Sequence, residues 1–306
     1  MLHIVSPLHV DRHAHIEHAS VFLKMDCAQP SGSFKIRGIG HLCEQSAAKG
    51  AQAFVCSSGG NAGLAVAHAG RILKRPVHIV VPHTTSEKIR QMLRGLGAEV
   101  TAHGSVWDEA DVHARQIAER NHAAYIHPFD DPLIWKGHAS IVGELKRQGP
   151  KPDLVVCSVG GGGLLCGMME GLYQHGWQDV EVMAVETTGA ASLRASVEAG
   201  TRVAISEITS IAKTLGAKMV AQKAFEWTQK HPIHSVLVSD TDAIQACIQL
   251  ADAQRVLVEP ACGAAYAALS QPHPAIQKAR HIVVIICGGS GVDTDMLLDW
   301  KQAHCD

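Results

Sequence analysis

Short apolar runs rich in β-branched residues alternate with longer stretches of helical periodicity along most of the chain. Turns rich in Gly or Ser separate several of them. Ser86 is a good helix N-cap residue and Gly97 a good helix stop, so they bound one of these helices. The pattern predicts strands at 53–56, 76–81, 98–102, 154–159, 180–185 and 282–287, and helices at 62–74, 86–96, 106–121 and 164–175.

This alternation of strand and helix is typical of parallel sheets covered by helices on both faces. The pattern occurs in two sets that divide around Asp130, Asp131 and Pro132. A chain of 306 residues is also long enough for two domains of about 150 residues each. We therefore expect two α/β domains with a cleft between them, a small one at 29–130 and a large one made of 1–28 and 131–306.

Composition and charge exclude several classes of protein. Hydrophobic residues make up 46% of the chain and charged residues 18%, which excludes a disordered chain or a coiled coil. The net charge of −2 and the aromatic content of 4% offer little to attract a nucleic acid or to stack its bases, so we expect no nucleic-acid partner. Apolar runs such as 282–287 are far shorter than the roughly 18 residues of a membrane span, so we expect no membrane segment.

The N-terminal residues and the cysteines indicate a compartment. The first ten residues, MLHIVSPLHV, lack the basic start and the long apolar stretch of a signal peptide. Nine cysteines without a C-x-x-C pair fit reduced thiols better than a disulfide framework. We therefore expect a cytoplasmic protein.

A loop of four glycines is the first candidate for ligand binding, because ligands of α/β proteins bind where strands end and helices begin. Gly160, Gly161, Gly162 and Gly163 could converge backbone N–H groups on a phosphate at a helix N-terminus, or form a tight turn in a packed sheet. The loop is neither a dinucleotide fingerprint nor a Walker loop. The residues that stand where those motifs need glycine or lysine are Leu165, Cys166 and Met168.

Two further loops carry polar groups. Residues 57–61, SSGGN, offer hydroxyl, amide and N–H groups to a carboxylate or a phenolic oxygen, or form an ordinary capping turn. Lys35 lies in a Gly/Ser loop beside Phe34. It is either a lysine that forms a Schiff base, with a pKa lowered by partial burial, or a solvated surface lysine.

Other candidate sites are weaker. His13, His15 and His18 have no helical i, i+4 spacing and no cysteine partner, so a solvated segment is favoured over a metal site. The chain contains no G-x-S-x-G motif of a hydrolase. Cys262 lies among small residues, which indicates a core thiol rather than a nucleophile.

Together the loops resemble the fold-type II family of pyridoxal-phosphate (PLP) enzymes. The motifs occur in the family's order, with SGSFKIRG at 31–38, SSGGNAG at 57–63, SVGGGGLLCG at 158–167 and IICGGSG at 285–291. Within the family, the chain is most similar to the catabolic L-serine dehydratases through PFDDPLIWKGHASIV at 128–142, ITSIAKTLG at 208–216 and LVEPACGAA at 257–265. The resemblance covers essentially the whole chain and implies PLP in the cleft between the two domains.

The resemblance implies roles for residues at the cofactor. Lys35 would form the Schiff base with PLP and act as the catalytic general base, with Phe34 stacked on the cofactor. Asn61 would bind the cofactor's 3-oxygen and Cys287 would face its pyridine nitrogen. The residues that would cradle the phosphate are Gly160, Gly161, Gly162 and Gly163.

Substrate and cation sites are implied in the same way. Ser58 is also a candidate catalytic residue, and with Gly59, Gly60 and Asn61 it would hold the carboxylate of a small amino-acid substrate. A monovalent cation such as K+ would be bound, mostly through backbone carbonyls, by Gly160, Glu186, Ala190, Ser192, Leu215 and Ala217.

The activity that the resemblance implies is deamination of L-serine to pyruvate and ammonia by α,β-elimination, with side activity on L-threonine. It also implies a homodimer in the cytoplasm that serves amino-acid catabolism and gluconeogenesis. Threonine deaminase and serine racemase, the latter with Ser58 as its second acid–base group, are alternatives on the same scaffold. A non-catalytic PLP-binding protein is an alternative of another class, although it would not need both Lys35 and a complete phosphate loop.

The sequence departs from the family's pattern at two positions. Gly59 stands where many relatives carry Ala, which leaves the substrate preference open. Lys136 replaces a Glu that is common in the animal enzymes. In addition, no regulatory extension follows the last predicted strand, which disfavours an allosteric biosynthetic threonine deaminase.

Overall fold

The computed structural model describes residues 1–14 and 16–304, so His15 of the histidine-rich segment lies outside the described residues. In chain order the strands are β1 (Leu8–Asp11), β2 (Ser20–Lys24), β3 (Phe54–Cys56), β4 (Val77–Val81), β5 (Glu99–Ala102), β6 (Ala124–Tyr125), β7 (Leu154–Ser158), β8 (Glu181–Thr187), β9 (Ile233–Val238) and β10 (His281–Ile285).

The α-helices are α1 (Lys35–Ala48), α2 (Asn61–Leu73), α3 (Glu87–Gly95), α4 (Trp107–Arg120), α5 (Pro132–His138), α6 (Ser140–Gln148), α7 (Gly163–Gln174), α8 (Ser192–Ala199), α9 (Gln222–Thr228), α10 (Asp240–Gln254), α11 (Pro260–Ala267), α12 (Pro274–Lys278) and α13 (Thr294–His304). Short 3-10 helices occur at Asp26–Ala28, Lys213–Leu215 and Ala268–Ser270. No described helix combines the length and the apolar character needed to cross a membrane.

The chain folds into two compact units. Unit 1 consists of Met1–Ile4 and Gln29–His138, and its sheet has four parallel strands in the order β5-β4-β3-β6. Side chains of β3 alternate between its faces, since Phe54 and Cys56 pack in a core with residues of α1 and α2, whereas Val55 packs with α4. Helices therefore cover both faces of this sheet, as the strand and helix pattern predicts.

Unit 2 consists of Val5–Ala28 and the described residues from Ala139 onward. Its sheet has six strands in the order β1-β2-β10-β7-β8-β9, and all neighbours are parallel except β1 and β2. Strand β7 lies inside the sheet and all of its side chains are buried. Ile282 of β10 pairs with Leu154 of β7, so the two strands end at the same edge.

The mixed α/β fold with parallel sheets flanked by helices is confirmed, and every strand and helix predicted above is present. Ser86 caps α3 as expected, because its Oγ accepts a hydrogen bond of 3.4 Å from the N–H of Ile89. The pattern missed the edge strands β1 and β6 and the strand β2. It also missed the helices α1, α5, α6 and α8 in the first two-thirds of the chain. The domain boundaries of the sequence analysis stay a prediction.

Candidate active site

Lys35 is the first residue of α1 and its side chain is half-buried. Its Nζ donates a hydrogen bond of 2.7 Å to the carbonyl oxygen of Pro128 and lies 5.3 Å from the ring centre of Phe34 and 6.0 Å from that of Phe129. Helices α1 and α5 approach closely at Gly38, where an added Cβ would lie 2.5 Å from the carbonyl oxygen of Ile134. The glycine of the SFKIRG motif thus allows α5 to pack beside Lys35, and the amine is held by a backbone carbonyl.

The loop that supplies this carbonyl is organised by a histidine. Nδ1 of His127 accepts hydrogen bonds from the N–H groups of Phe129, at 3.2 Å, and Asp130, at 2.7 Å. Burial lowers the pKa of His127 to about 4, and the Arg115 and Lys35 charges act in the same direction. The imidazole is therefore neutral at neutral pH and able to accept both bonds.

Residues 57–61 join β3 to α2, as the sequence predicts. Gly60 is the N-cap of α2 in an extended conformation, and no side chain in the described part of the chain caps this helix. The capping-turn alternative therefore does not account for the loop's hydroxyl groups. N–H groups in the first turn of a helix have no acceptor within the helix, so this one can bind a carboxylate. Ser58 and Gly59 are half-buried, Gly60 is exposed, and Asn61 opens the helix.

The charge of Lys35 acts on Cys56, the residue directly before the loop of residues 57–61. Burial raises the pKa of the Cys56 thiol to about 12, and the nearby Lys35 charge acts in the opposite direction. Cys56 ends β3 and directly precedes Ser57. Unit 1 thus brings together the predicted residues Phe34 and Lys35 and the end of the strand that carries the Ser58–Asn61 loop.

The four-glycine loop joins β7 to α7 in unit 2. Gly162 is the N-cap of α7 with a φ of +88°, and among the described residues no side chain caps the helix. A Cβ built on Gly160 would lie 3.0 Å from Cα of Leu215, and one built on Gly162 would overlap Cβ of Ala224. Position 162 therefore requires glycine, and a Cβ at position 160 would be crowded by backbone atoms. The loop presents its backbone at a helix N-terminus, which is the arrangement that binds phosphate.

Cys287 follows β10 at the same edge of the sheet and is buried. Its Sγ lies 3.6 Å from Oγ of Ser158, the last residue of β7, and 3.4 Å from Sγ of Cys262. The Cys262 thiol donates to the carbonyl oxygen of Gly288 at 2.9 Å and accepts from its N–H at 3.1 Å. Burial raises the pKa of Cys262 well above its ordinary value, so this thiol stays neutral and fixes the chain directly after Cys287.

Two groups form among the residues predicted to bind a cation. The buried Glu186 carboxylate accepts hydrogen bonds from the N–H groups of Leu193, at 2.7 Å, and Arg194, at 2.8 Å, beside the buried Ser192. Burial raises the pKa of Glu186 to about 7.

The second group adjoins the glycine loop. Leu215 packs against Gly160, and the N–H of Ala217 donates to the Leu215 carbonyl at 2.8 Å. Ala190 donates in the same way to the carbonyl of Thr187 at 2.9 Å. Residues 1–14 and 16–304 hold no group of three or more His, Cys, Asp or Glu side chains able to bind a metal, so a site here depends on backbone carbonyls.

Several polar residues near these positions were missed by the sequence analysis. Asp111 on α4 and Tyr125 at the end of β6 contact Ser57 through hydrogen bonds. His138 is fully buried, and its ring is tilted against that of Phe34 with 4.8 Å between the ring centres. Its ring nitrogens have no hydrogen-bond partner among the described residues. The pattern of apolar residues could not predict these contacts, because the contacting residues are distant from each other along the chain. Lys136, by contrast, is exposed on α5.

The residues present fit PLP. The glycine loop is a cradle in which an added Cβ at Gly160 or Gly162 would meet neighbouring atoms, and the N-terminus of α7 complements the charge of a phosphate. Lys35 offers an amine in a partly apolar setting between Phe34 and Phe129, as Schiff-base formation requires. Cys287 offers a small polar group beside Ser158 to a heterocyclic nitrogen.

Comparison with known proteins gives consistent matches over most of the chain. Residues 2–288 match the family described as "Pyridoxal-phosphate dependent enzyme". The chain is 50% identical over 283 residues to a human protein named "Serine dehydratase-like", which covers 90% of this chain and 86% of that protein. It is 50% identical over 295 residues to the human "L-serine dehydratase/L-threonine deaminase", with 92% and 89% covered.

A solved structure matches over nearly the whole chain. The L-serine ammonia-lyase from the fungus Rhizomucor miehei is 39% identical, with a TM-score of 0.92 and 99% of both chains covered. The family match and these relatives each extend over most of the chain, so the protein belongs to the family of pyridoxal-phosphate-dependent enzymes and has their fold-type II architecture.

Proposed function

We propose that this protein is an L-serine ammonia-lyase that uses PLP to convert L-serine to pyruvate and ammonia, with side activity on L-threonine. The observation that carries the proposal is the position of Lys35, whose amine is held by the Pro128 carbonyl beside the rings of Phe34 and Phe129. The names of the relatives at 50% identity and of the fungal structure support serine as the substrate.

Residues of both units have distinct roles in holding the cofactor. We assign the Schiff base to Lys35, the ring contact to Phe34 and the 3-oxygen contact to Asn61. Cys287 contacts the pyridine nitrogen through its thiol. The backbone N–H groups at the start of α7 hold the phosphate, and the residues that provide this cradle are Gly160, Gly161, Gly162 and Gly163.

The substrate is oriented by the loop between β3 and α2. Its carboxylate is bound by Ser58, Gly59, Gly60 and Asn61, where the N-terminus of α2 provides N–H groups and a partial positive charge. This contact fixes the amino acid by its carboxylate, so that its Cα faces the Lys35 amine.

Proton removal from Cα is the task of Lys35. When bound, PLP supplies an electron sink for the negative charge that develops at Cα. The Lys35 Nζ takes the α-proton as general base. The Pro128 carbonyl accepts a hydrogen bond from one of its N–H groups, so that the amine has a defined position. Loss of the β-hydroxyl as water leaves aminoacrylate, which tautomerises and is hydrolysed to pyruvate and ammonia.

Threonine differs from serine by one methyl group, and one methyl in a pocket changes binding by only about 1–3 kcal/mol. Overlapping activity on both substrates is therefore expected. Threonine deamination and serine racemisation use the same residues. Racemisation also needs an acid–base group on the opposite face of Cα, for which Ser58 is the candidate.

The test is a pyruvate assay on the purified protein with added PLP, comparing L-serine, L-threonine and D-serine at equal concentrations. The proposal predicts the highest kcat/KM for L-serine. A clearly higher kcat/KM for L-threonine would identify a threonine deaminase, and D-serine formation with little pyruvate would identify a racemase. Visible absorbance of bound PLP without turnover of any amino acid would identify a non-catalytic binding protein.

The proposal also includes a bound monovalent cation and a homodimer. It places the protein in the cytoplasm, in a catabolic role that feeds gluconeogenesis. K+ would be bound, mostly through backbone carbonyls, by Gly160, Glu186, Ala190, Ser192, Leu215 and Ala217. The eight cysteines in the described part of the chain are free thiols, which supports a reducing compartment. Activity in KCl compared with LiCl, and the mass in solution, test the cation and the dimer.

A further inference from the structure

A buried carboxylate on α4 connects three side chains of unit 1. Oδ1 of Asp111 accepts hydrogen bonds from Oγ of Ser57, at 2.6 Å, and from the hydroxyl of Tyr125. Oδ2 accepts from Nε of Arg115 at 2.8 Å. The guanidinium of Arg115 also lies 4.1 Å from the ring centre of Tyr125. Both oxygens of the carboxylate are thus engaged.

The network is held in one charge state. Burial alone would raise the pKa of Asp111, but the hydrogen bonds from Ser57, Tyr125 and Arg115 outweigh burial and lower it. Burial raises the pKa of Tyr125, so its hydroxyl keeps its proton and donates it to the carboxylate. Asp111 is therefore ionised at neutral pH, and its hydrogen bonds are charge-assisted.

The two hydroxyl donors lie at the ends of neighbouring strands. Ser57 follows β3 and directly precedes Ser58. Tyr125 ends β6, which pairs with β3, and the N–H of Ile126 donates to the carbonyl of Val55 at 2.7 Å. Ser57 is thus directly next to the first loop, and Tyr125 is separated from the second only by Ile126.

The two loops have different tasks in the proposed reaction. The first loop, 58–61, binds the substrate carboxylate. The second loop, 127–130, contains Pro128, whose carbonyl accepts the hydrogen bond from Lys35. No bond described above joins Asp111 to residues 58–61 or to Lys35. It holds Ser57, directly before the first loop, and Tyr125, two residues before the second.

We propose that Asp111 is a positioning residue that fixes the substrate loop through Ser57 and the Lys35-holding loop through Tyr125. This inference rests on the proposed function, because it takes substrate binding and proton transfer as the tasks of the two loops. The inference predicts that the two hydrogen bonds affect different steps of the reaction. Loss of the Ser57 bond displaces the carboxylate donors, and loss of the Tyr125 bond displaces the acceptor of the catalytic amine.

The experiment compares the variants Ser57→Ala, Tyr125→Phe and Asp111→Asn in the PLP-loaded protein. Tyr266→Phe is the matched control, because the Tyr266 hydroxyl donates to another buried carboxylate, Asp11 of unit 2, at 2.6 Å. Asn has nearly the size of Asp and keeps an acceptor for the hydroxyl groups, so Asp111→Asn preserves the packing while it removes the charge.

A hydrogen bond to a charged group stabilises a structure by enough to change an equilibrium about tenfold. We therefore expect Ser57→Ala to raise KM for L-serine about tenfold with little change in kcat, and Tyr125→Phe to lower kcat about tenfold with little change in KM. Asp111→Asn should change both, and Tyr266→Phe neither. Equal changes of kcat and KM in Ser57→Ala and Tyr125→Phe, or effects no larger than those of Tyr266→Phe, would overturn the inference.

A second measurement separates this inference from the proposed function. Amide hydrogen exchange in the absence of substrate should become at least about tenfold faster at 58–61 and 127–130 in Asp111→Asn, and stay unchanged there in Tyr266→Phe. If the wild-type protein forms no pyruvate from any amino acid, the proposed function fails and this measurement still tests the positioning. Unchanged exchange in both loops would overturn the inference, even in an active enzyme.

Discussion

The Nζ atom of Lys35 donates a hydrogen bond of 2.7 Å to the carbonyl oxygen of Pro128. A lysine at the surface would turn its amine to water, but this one is half-buried between the rings of Phe34 and Phe129. The amine therefore has a defined position before any ligand is present, which reduces the entropy lost when it reacts.

Replacing Lys35 by Ala should abolish both functions of this amine. We expect loss of the protein–cofactor bond that borohydride reduces, and a decrease in pyruvate formation of about a thousandfold or more, since general-base catalysis alone contributes 10²–10⁴-fold. Lys136→Ala, on an exposed lysine of α5, is the control and should keep both. Near-normal turnover by Lys35→Ala would show that another residue carries the cofactor.

The second prediction concerns Gly162. Its φ of +88° disfavours any residue with a Cβ, and a Cβ there would overlap Cβ of Ala224. Gly162→Ala should displace the phosphate loop and weaken PLP binding by roughly tenfold or more, with a fall in Tm of a few degrees. Fluorescence titration with PLP measures the affinity.

The control for this change is Gly95→Ala. Gly95 lies at the end of α3, and no described atom outside its own helix and chain neighbours is within 4 Å of a Cβ built there. This variant should bind PLP as the wild type does. Unchanged affinity in Gly162→Ala would place the phosphate elsewhere.

The loops of the candidate site were predictable because their signals are local. Residues 57–61 stand between an apolar run and a helical stretch, and the same is true of the four glycines at 160–163. A strand, a glycine-rich turn and a helix in succession place a loop at the carboxyl edge of a parallel sheet. Register then brings Cys287 beside Ser158, because β10 and β7 are adjacent parallel strands.

The contacts that support these loops were not predictable in the same way. Ser57 and Asp111 are 54 residues apart, and Asp111 and Tyr125 are 14 residues apart, so no period relates them. Strand β6 has only two residues, too few for any alternation to be visible. Strand β1 is an exposed antiparallel edge, and its single buried residue, Asp11, is polar. The periodicity of apolar residues indicates which positions are buried. The hydrogen bonds of Asp111 and the short strands β1 and β6 depend instead on contacts that form only in the tertiary fold.

The third prediction follows from Gly63, the last residue of the SSGGNAG motif. A Cβ built on Gly63 would overlap the carbonyl oxygen of Ser58. Gly63→Ala should therefore push Ser58 away from α2 and raise KM for L-serine, although alanine is the better helix former. Ala62 is the natural neighbour for comparison, and Ala62→Gly should cost about 1 kcal/mol of stability without the same rise in KM. Equal KM values in both variants would contradict a special role for Gly63.

The last prediction is a pH dependence of stability caused by His127. Burial lowers the pKa of this imidazole to about 4 in the folded protein, against an ordinary value of 6.5 in the unfolded chain. The Arg115 and Lys35 charges also lower the pKa, while the Asp111 charge opposes them. Between these two pH values the unfolded chain binds the proton and the folded protein does not. The free energy of unfolding therefore falls as the pH decreases from 6.5 to 4, by at most about 1.4 kcal/mol per pH unit for this group.

His127→Asn removes this titration. The Asn side-chain oxygen can still accept hydrogen bonds from the N–H groups of Phe129 and Asp130, as Asn side chains commonly do in turns. We expect the variant to lose less stability than the wild type between pH 7 and pH 4.5, as measured by urea unfolding of the PLP-loaded protein at both pH values. His304→Asn, at an exposed position of α13, should lose as much as the wild type. Because other buried histidines such as His138 also have lowered pKa values, part of the acid sensitivity should remain in His127→Asn. If the two variants lose the same amount between these pH values, His127 is not neutral in the fold, and it does not hold the Pro128 loop in the way that its hydrogen bonds indicate.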